Sequence, residues 1–267
     1  MIIDFHTHAF PPKIAPKAME KLSFLSGGLK PYTDGTLKGL KNRMKEDNVD
    51  LSVVLSIATN EAQQQSVNNF AKEIDETEGF IGFGSVFPTG KSAIEELERI
   101  KEMGLKGVKL HPDYQGFFVD DEKMKPIYKK ISELGLITVF HAGVDFGFAP
   151  PYCATPERLE KALAWFESPV IAAHFGGLSC YEGVLQRLCG KENLYIDTSF
   201  SYSMLPRYYA LKIIEKQGAN KVLFGTDTPW HTAEMELRLI ENLGLSDKEL
   251  EQIKYKNACQ LLNLKNF

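Results

Sequence analysis

The sequence predicts an α/β protein, a (β/α)8 TIM barrel with a long loop after strand 1 and extra C-terminal helices, built as one domain over residues 1–267. Three observations predict it. Eight short apolar runs alternate with amphipathic segments of helical period, and such alternation implies a parallel sheet. Eight such units in 267 residues match the usual length of a closed barrel. The first strand ends in His6-Thr7-His8-Ala9, not in the glycine-rich turn expected of an open doubly wound sheet.

In chain order, Ile2-Ile3-Asp4-Phe5-His6-Thr7-His8 is the first strand, led by β-branched residues. Ala9 to Gly35 is too long for an ordinary βα connection and carries prolines at 11, 12, 16 and 31, so it reads as a lid or pocket wall with a short helix near Pro16 to Leu25. Leu37, Leu40, Met44 and Val49 then recur at helical spacing, with Asp34 or Thr36 at the start. The later strands are Leu51–Ile57, Phe80–Val86, Gly107–Pro112, Leu136–His141, Val170–His174, Leu194–Ser199 and Val222–Asp227. Their near-continuous apolar character is that of strands buried on both faces. Helices fill Glu61–Glu76, Ser92–Met103, Asp121–Leu134, Tyr181–Leu188, Pro206–Gln217 and Glu234–Leu243. Another opens at Thr155-Pro156-Glu157, with Thr155 as N-cap, and Asp247–Leu264 adds one or two more behind Ser246.

Composition narrows the function. A net charge of −4 leaves no basic footprint for nucleic acid or an anionic membrane. No apolar run reaches the roughly 18 residues of a bilayer span. The first residues lack a basic stretch followed by an apolar core, so no signal peptide is expected and the cytoplasm is the expected compartment. The four cysteines (153, 180, 189 and 259) form no C-x-x-C pair and read as ordinary thiols in a reducing compartment. A small-molecule enzyme and a barrel whose metal site serves only stability or sensing both fit this composition.

The histidines say where. On a strand, side chains at i and i+2 share a face, so His6 and His8 stand side by side. Of six histidines, five (His6, His8, His111, His141 and His174) fall at the carboxyl ends of strands 1, 4, 5 and 6. The sixth, His231, follows strand 8 and reads as an exposed loop residue. A barrel gathers those ends on one rim, where its active sites lie. Three imidazoles and a carboxylate with an open position make a catalytic metal site, and His6, His8, His141 and Asp227 supply that set. The expected cofactor is one divalent metal: zinc first, with Mn2+, Fe2+ or Co2+ as alternatives. His174 is placed beside the activated water as acid or base, with metal ligation as its alternative role, and Asp227 shares the proton traffic. His111 is a candidate to polarise or bind substrate, to join the metal shell, or simply to hydrogen-bond at its strand end. Lys109, two residues earlier on the same face, could bind a substrate carboxylate, pair with a buried carboxylate, or be carboxylated and bridge two metals. Trp230 is a candidate substrate-binding residue. Asp4 reads as structural, and Ser199, Thr226 and Thr228 receive no role. Phe146, Phe148, Tyr152, Phe175, Phe200, Tyr202 and Trp230 are available to receive a planar ring, and Lys30 and Arg207 are further basic candidates.

Asp4-Phe5-His6-Thr7-His8, Gly107 to Pro112, Phe140-His141-Ala142-Gly143, Ala173 to Gly177 and Phe224 to Trp230 together resemble the amidohydrolase superfamily. More narrowly, they resemble its amidohydrolase-2 branch, which includes aminocarboxymuconate-semialdehyde decarboxylase and related enzymes. The resemblance implies a distorted TIM barrel and a single divalent metal on His6, His8, His141 and Asp227. It also implies His174 as acid or base, and a homodimer. The branch contains hydrolases of lactones and amides, hydratases and non-oxidative decarboxylases. This chain is compact before its third barrel unit, where the decarboxylases tend to be longer. The expectation is therefore a metal-dependent hydrolase of an ester, lactone or amide of a small organic acid, with a decarboxylase of an unsaturated or aromatic acid as the alternative.

Overall fold

A computed structural model describes residues 1–264; residues 265–267, the end of the expected span, lie outside the described residues. Eight parallel strands appear among the described residues: β1 (Ile3–Thr7), β2 (Leu51–Leu55), β3 (Phe80–Phe83), β4 (Gly107–Leu110), β5 (Ile137–Phe140), β6 (Val170–Ala172), β7 (Leu194–Asp197) and β8 (Val222–Leu223). They pair as β1-β2-β3 and β4-β5-β6-β7-β8. Two seams close the ring. Gly84 bridges to Val108 and joins β3 to β4, while Thr7 bridges to Thr228 and joins β1 to the exit of β8. At the second seam Phe5 N–H donates to Phe224 O at 2.8 Å and Asp227 N–H to His6 O at 2.7 Å. The result is the expected (β/α)8 barrel.

The burial pattern explains the apolar strands. Ile3, Phe5, Val53, Leu55, Phe83, Val139, Ile171 and Leu223 form one cluster with Ala258 and Leu262 of the helix Asn257–Leu262, so a terminal helix packs on the barrel's filling. A larger cluster lies between the strands and the surrounding helices. Glycine is required where helix and strand press together: a Cβ on Gly82 would lie 1.9 Å from Ala71 O.

The helices begin where the sequence signals them. Thr36 accepts a bond from Gly39 N–H ahead of Leu37–Asp47, and Ser246 with Glu249 makes a reciprocal capping box. The long loop after β1 carries the helix Ala15–Leu25. Thr155 takes the N-cap position of Pro156–Leu163, but its side chain makes no capping bond. A short helix, Pro112–Gln115, follows β4 without having been expected, with His111 at its N-cap. All the strands stop earlier than the apolar runs suggest, β3 at Phe83, β6 at Ala172, β7 at Asp197 and β8 at Leu223 among them. Beyond β6, β7 and β8 the backbone enters the left-handed region, at His174 (φ 59°) and Phe175 (φ 53°), Phe200 (φ 51°) and Asp227 (φ 67°), which no ladder accommodates. Among the described residues no helix is long and apolar enough to cross a membrane.

Gly82→Ala should destabilise the protein by about 2 kcal/mol or more, because the added methyl meets backbone that cannot move aside. Urea unfolding followed by circular dichroism checks this.

Candidate metal centre and pocket

The rim is built from strand ends. Asp4, low on β1, accepts bonds from Thr226 N–H (3.0 Å) and Thr226 Oγ1 (2.6 Å), and Thr226 Oγ1 also meets Thr228 Oγ1 at 2.7 Å. Burial pushes the Asp4 carboxyl up to about 8, toward its neutral form, and the residue serves as a strut, the structural role expected of it. The strut pins the β8 exit against β1, and Asp227 follows directly.

His6 and His8 then turn the same ring edge to Asp227. His6 Nδ1 donates to Asp197 Oδ2 at 2.8 Å and His8 Nδ1 donates to Leu55 O at 2.8 Å. Neither acceptor carries a proton, so each ring in its neutral form holds its proton on Nδ1 and turns Nε2 outward as the ligand atom. Those two Nε2 atoms lie 3.4 and 3.1 Å from Asp227 Oδ1. Among the described residues His6, His8 and Asp227 form one group able to hold a metal ion. Burial pushes His6 down to about 4, and the Asp197 and Asp227 carboxylates are held well below the usual range by His6 and His8.

A second chain of proton assignments starts at Ser199. His174 Nδ1 lies 3.1 Å from Ser199 O and 2.9 Å from Ser199 Oγ. The carbonyl only accepts, so His174 carries its proton on Nδ1. Its Nε2 therefore accepts from His141 Nδ1 at 3.1 Å. That leaves His141 Nε2 bare, buried and without a hydrogen-bond partner. His141 stacks on His111, with ring centroids 4.2 Å apart and planes 11° apart. Both rings point Nε2 at Asp145 Oδ2, at 3.9 Å from His141 and 3.2 Å from His111. Burial lowers the pKa of all three imidazoles.

Of the expected ligands, then, the structure gathers His6, His8 and Asp227, and groups His141 with His111 and Asp145 in the same pocket. Lys109 is buried with Nζ 3.3 Å from His6 Nε2, and burial pushes its ammonium down to about 8. Trp230 lines the pocket, as do Phe146 and Phe200; Phe148, Tyr152, Phe175 and Tyr202 do not, and neither do Lys30 and Arg207. The remaining walls include Phe10, Leu22, Leu29 and Tyr114, and the space measures about 820 Å³ out to its open mouth.

His231 is a correction. It is 7% exposed, not a solvent-facing loop residue, because its Nδ1 bonds to the buried Glu236 at 2.6 Å. Ser199, given no role from sequence, bonds both His6 and His174. Asp145, Asp197 and Glu236 escaped notice altogether. Asp197 lies near the carboxyl end of a predicted strand, as Asp227 does, and that nearness was the available signal. Asp145 stands four residues after His141 in a loop, a spacing that carries no meaning without the fold.

The amidohydrolase family model matches residues 3–264. The chain belongs to the amidohydrolase family, in its amidohydrolase-2 branch. Among curated proteins none matches its sequence. Solved structures share the fold across nearly the whole chain. An uncharacterised TIM-barrel protein from Bordetella bronchiseptica superposes with a TM-score of 0.78 at 18% identity, covering 98% of each chain. A dihydroxybenzoic acid decarboxylase from Polaromonas sp. JS666, with bound manganese and the inhibitor 2-nitroresorcinol, gives 0.73 at 17%, covering 98% of this chain and 97% of that one. A probable 2-pyrone-4,6-dicarboxylic acid hydrolase from Acinetobacter baumannii, with citric acid bound, gives 0.70 at 18%, covering 98% and 99%. The family is one of metal-dependent enzymes, and the solved structures that share this fold include both a decarboxylase and a probable hydrolase.

Asp197 fixes the orientation of His6. Asp197→Asn should therefore weaken divalent-metal affinity by roughly 10- to 100-fold while leaving the circular dichroism spectrum unchanged. Titration against a chromophoric chelator checks this.

Proposed function

We propose that this amidohydrolase is a hydrolase that opens an ester, lactone or amide of a small organic acid with water activated by one divalent metal, zinc foremost. One observation carries the reading. His6 Nε2 and His8 Nε2 lie 3.4 and 3.1 Å from Asp227 Oδ1, so that three ligand atoms suited to a divalent metal face one another at the rim. Two imidazole nitrogens and a carboxylate oxygen are the donor types that a divalent transition metal takes. Formal charge agrees: the carboxylates of Asp145, Asp197 and Asp227 against the Lys109 ammonium leave two negative charges around the pocket, which a single divalent ion offsets.

The residues assigned to hold the metal are His6, His8, Asp227 and His141, whose bare buried Nε2 lacks any partner among the described residues. When bound there, a divalent ion supplies Lewis acidity and a water that ionises near neutral pH. Asp227, held ionised, receives a proton from the attacking water. His174 exchanges a proton with the leaving group, and to do so it must give up its bond to His141 or to Ser199. Lys109 draws a substrate carboxylate toward the histidines, His111 backs the substrate from its stack on His141, and Trp230 with Phe146 and Phe200 shields the apolar part.

A second reading has its own support. Five aromatic walls, Phe10, Tyr114, Phe146, Phe200 and Trp230, suit a planar ring, and Lys109 is the one cationic side chain, other than the histidines, among the described residues that line the pocket. An aromatic acid would sit with its carboxylate beside the metal ligands, as decarboxylation requires. A panel of lactones, esters, amides and aromatic acids, scored in parallel for acid release and CO2 release, separates the two.

The purified protein should carry about one equivalent of divalent metal, and chelation should abolish turnover, to be restored by added metal. Metal analysis that finds none, with none taken up on reconstitution, refutes the mechanism. Two equivalents together with the mass of one added carboxyl group on Lys109 would replace it with a bridged two-metal site. His174→Ala should keep the metal and lose about 10²- to 10⁴-fold in kcat; loss of metal instead makes His174 a ligand.

A further inference from the structure

Two of the pocket's aromatic walls, Phe200 and Trp230, sit on the segments that leave β7 and β8. Neither segment is regular. Phe200 occupies the left-handed region at φ 51°, costly for a residue with a bulky side chain, so its neighbours must hold it there. Its own N–H reaches Thr226 O at 3.3 Å, a long bond.

The stronger hold comes from outside the barrel. Glu236, on the helix Ala233–Glu241, is fully buried. Its Oε1 accepts from Ser201 N–H at 3.0 Å and Tyr202 N–H at 3.3 Å, the two residues after Phe200. The same oxygen meets His231 Nδ1 at 2.6 Å, the residue after Trp230. The His231 ring in turn stacks on Phe200, with centroids 4.2 Å apart and planes 25° apart. One carboxylate oxygen thus ties both aromatic segments to one helix, while Oε2 is buried without a partner. The helix has no need of this acid, since its other buried positions are Ala233 and Ile240. Burying a carboxylate is costly, and here burial pushes its pKa up to about 7. The expense is understandable if the carboxylate holds something in place.

We infer that the Glu236–His231 pair is a positioning clamp that holds Phe200 and Trp230 as one wall of the pocket, and so governs how tightly the pocket grips an aromatic or other planar group. Its consequence for substrate rests on the pocket being the substrate site proposed above. The clamp itself can be tested without substrate or metal.

The chain has two tryptophans, Trp165 and Trp230. In a Trp165→Phe background, acrylamide quenching of fluorescence reports on Trp230 alone. Glu236→Leu removes every acceptor and should raise the quenching constant by about twofold or more as the wall loosens. Glu236→Gln keeps an acceptor oxygen and should stay near the parent. Metal content and circular dichroism should match the parent in both. Unchanged quenching in a folded Glu236→Leu protein overturns the clamp, as does a parallel loss of bound metal. Should Glu236→Leu fail to fold, His231→Leu carries the same expectation. If that fails to fold as well, the pair belongs to the core and the clamp is refuted. A protein that binds no metal yet shows the expected quenching would sink the proposed mechanism and leave the clamp standing.

Discussion

The site depends on one buried carboxylate. Asp197, at the end of β7, accepts from His6 Nδ1 on one oxygen, and from the backbone N–H groups of His174 and Ser199 and the Ser199 hydroxyl on the other. Four donors on one group keep it ionised although it is fully buried. From that charge the remaining order follows. His6 is fixed with Nε2 outward, and the His174 backbone is held in its left-handed turn. Ser199 is placed so that its carbonyl and hydroxyl meet His174. Asp197 touches none of the space where a substrate would sit, yet it determines which ring nitrogens are bare.

The arrangement also shows why one carboxyl is pushed toward its neutral form while others beside it are held ionised. Asp4 receives two backbone N–H bonds and one hydroxyl but has no cationic partner, and burial dominates. Asp197 and Asp227 face histidines that favour their charged forms. The first kind of acid closes the barrel seam. The second kind gives the pocket its negative charge, which Lys109 offsets only in part.

Much of this was legible in the chain. The apolar runs mark every strand because parallel strands are covered on both faces, and His6, His8, His141, His174 and Asp227 stand near the strand ends because a barrel leaves only that rim free for chemistry. Strand lengths were overestimated where apolar residues continue past the ladder into left-handed backbone, as at Phe224 to Asp227. His231 was misplaced because a histidine after proline and tryptophan looks like loop sequence, and its partner Glu236 sits on the far side of a turn, on a helix whose other buried residues are apolar.

By itself the sequence determined the barrel, the rim on which chemistry occurs, and the histidine and aspartate types that meet there, since periodicity and composition are local properties. Only the tertiary structure decided which atoms face one another. Proton placement on His6, His8, His141 and His174 depends on Asp197, Leu55, Ser199 and their distances, contributed by strands far apart in the chain. A hydrogen bond is read from geometry, and three-dimensional closeness across 191 residues, as between His6 and Asp197, leaves no periodic trace in a linear chain.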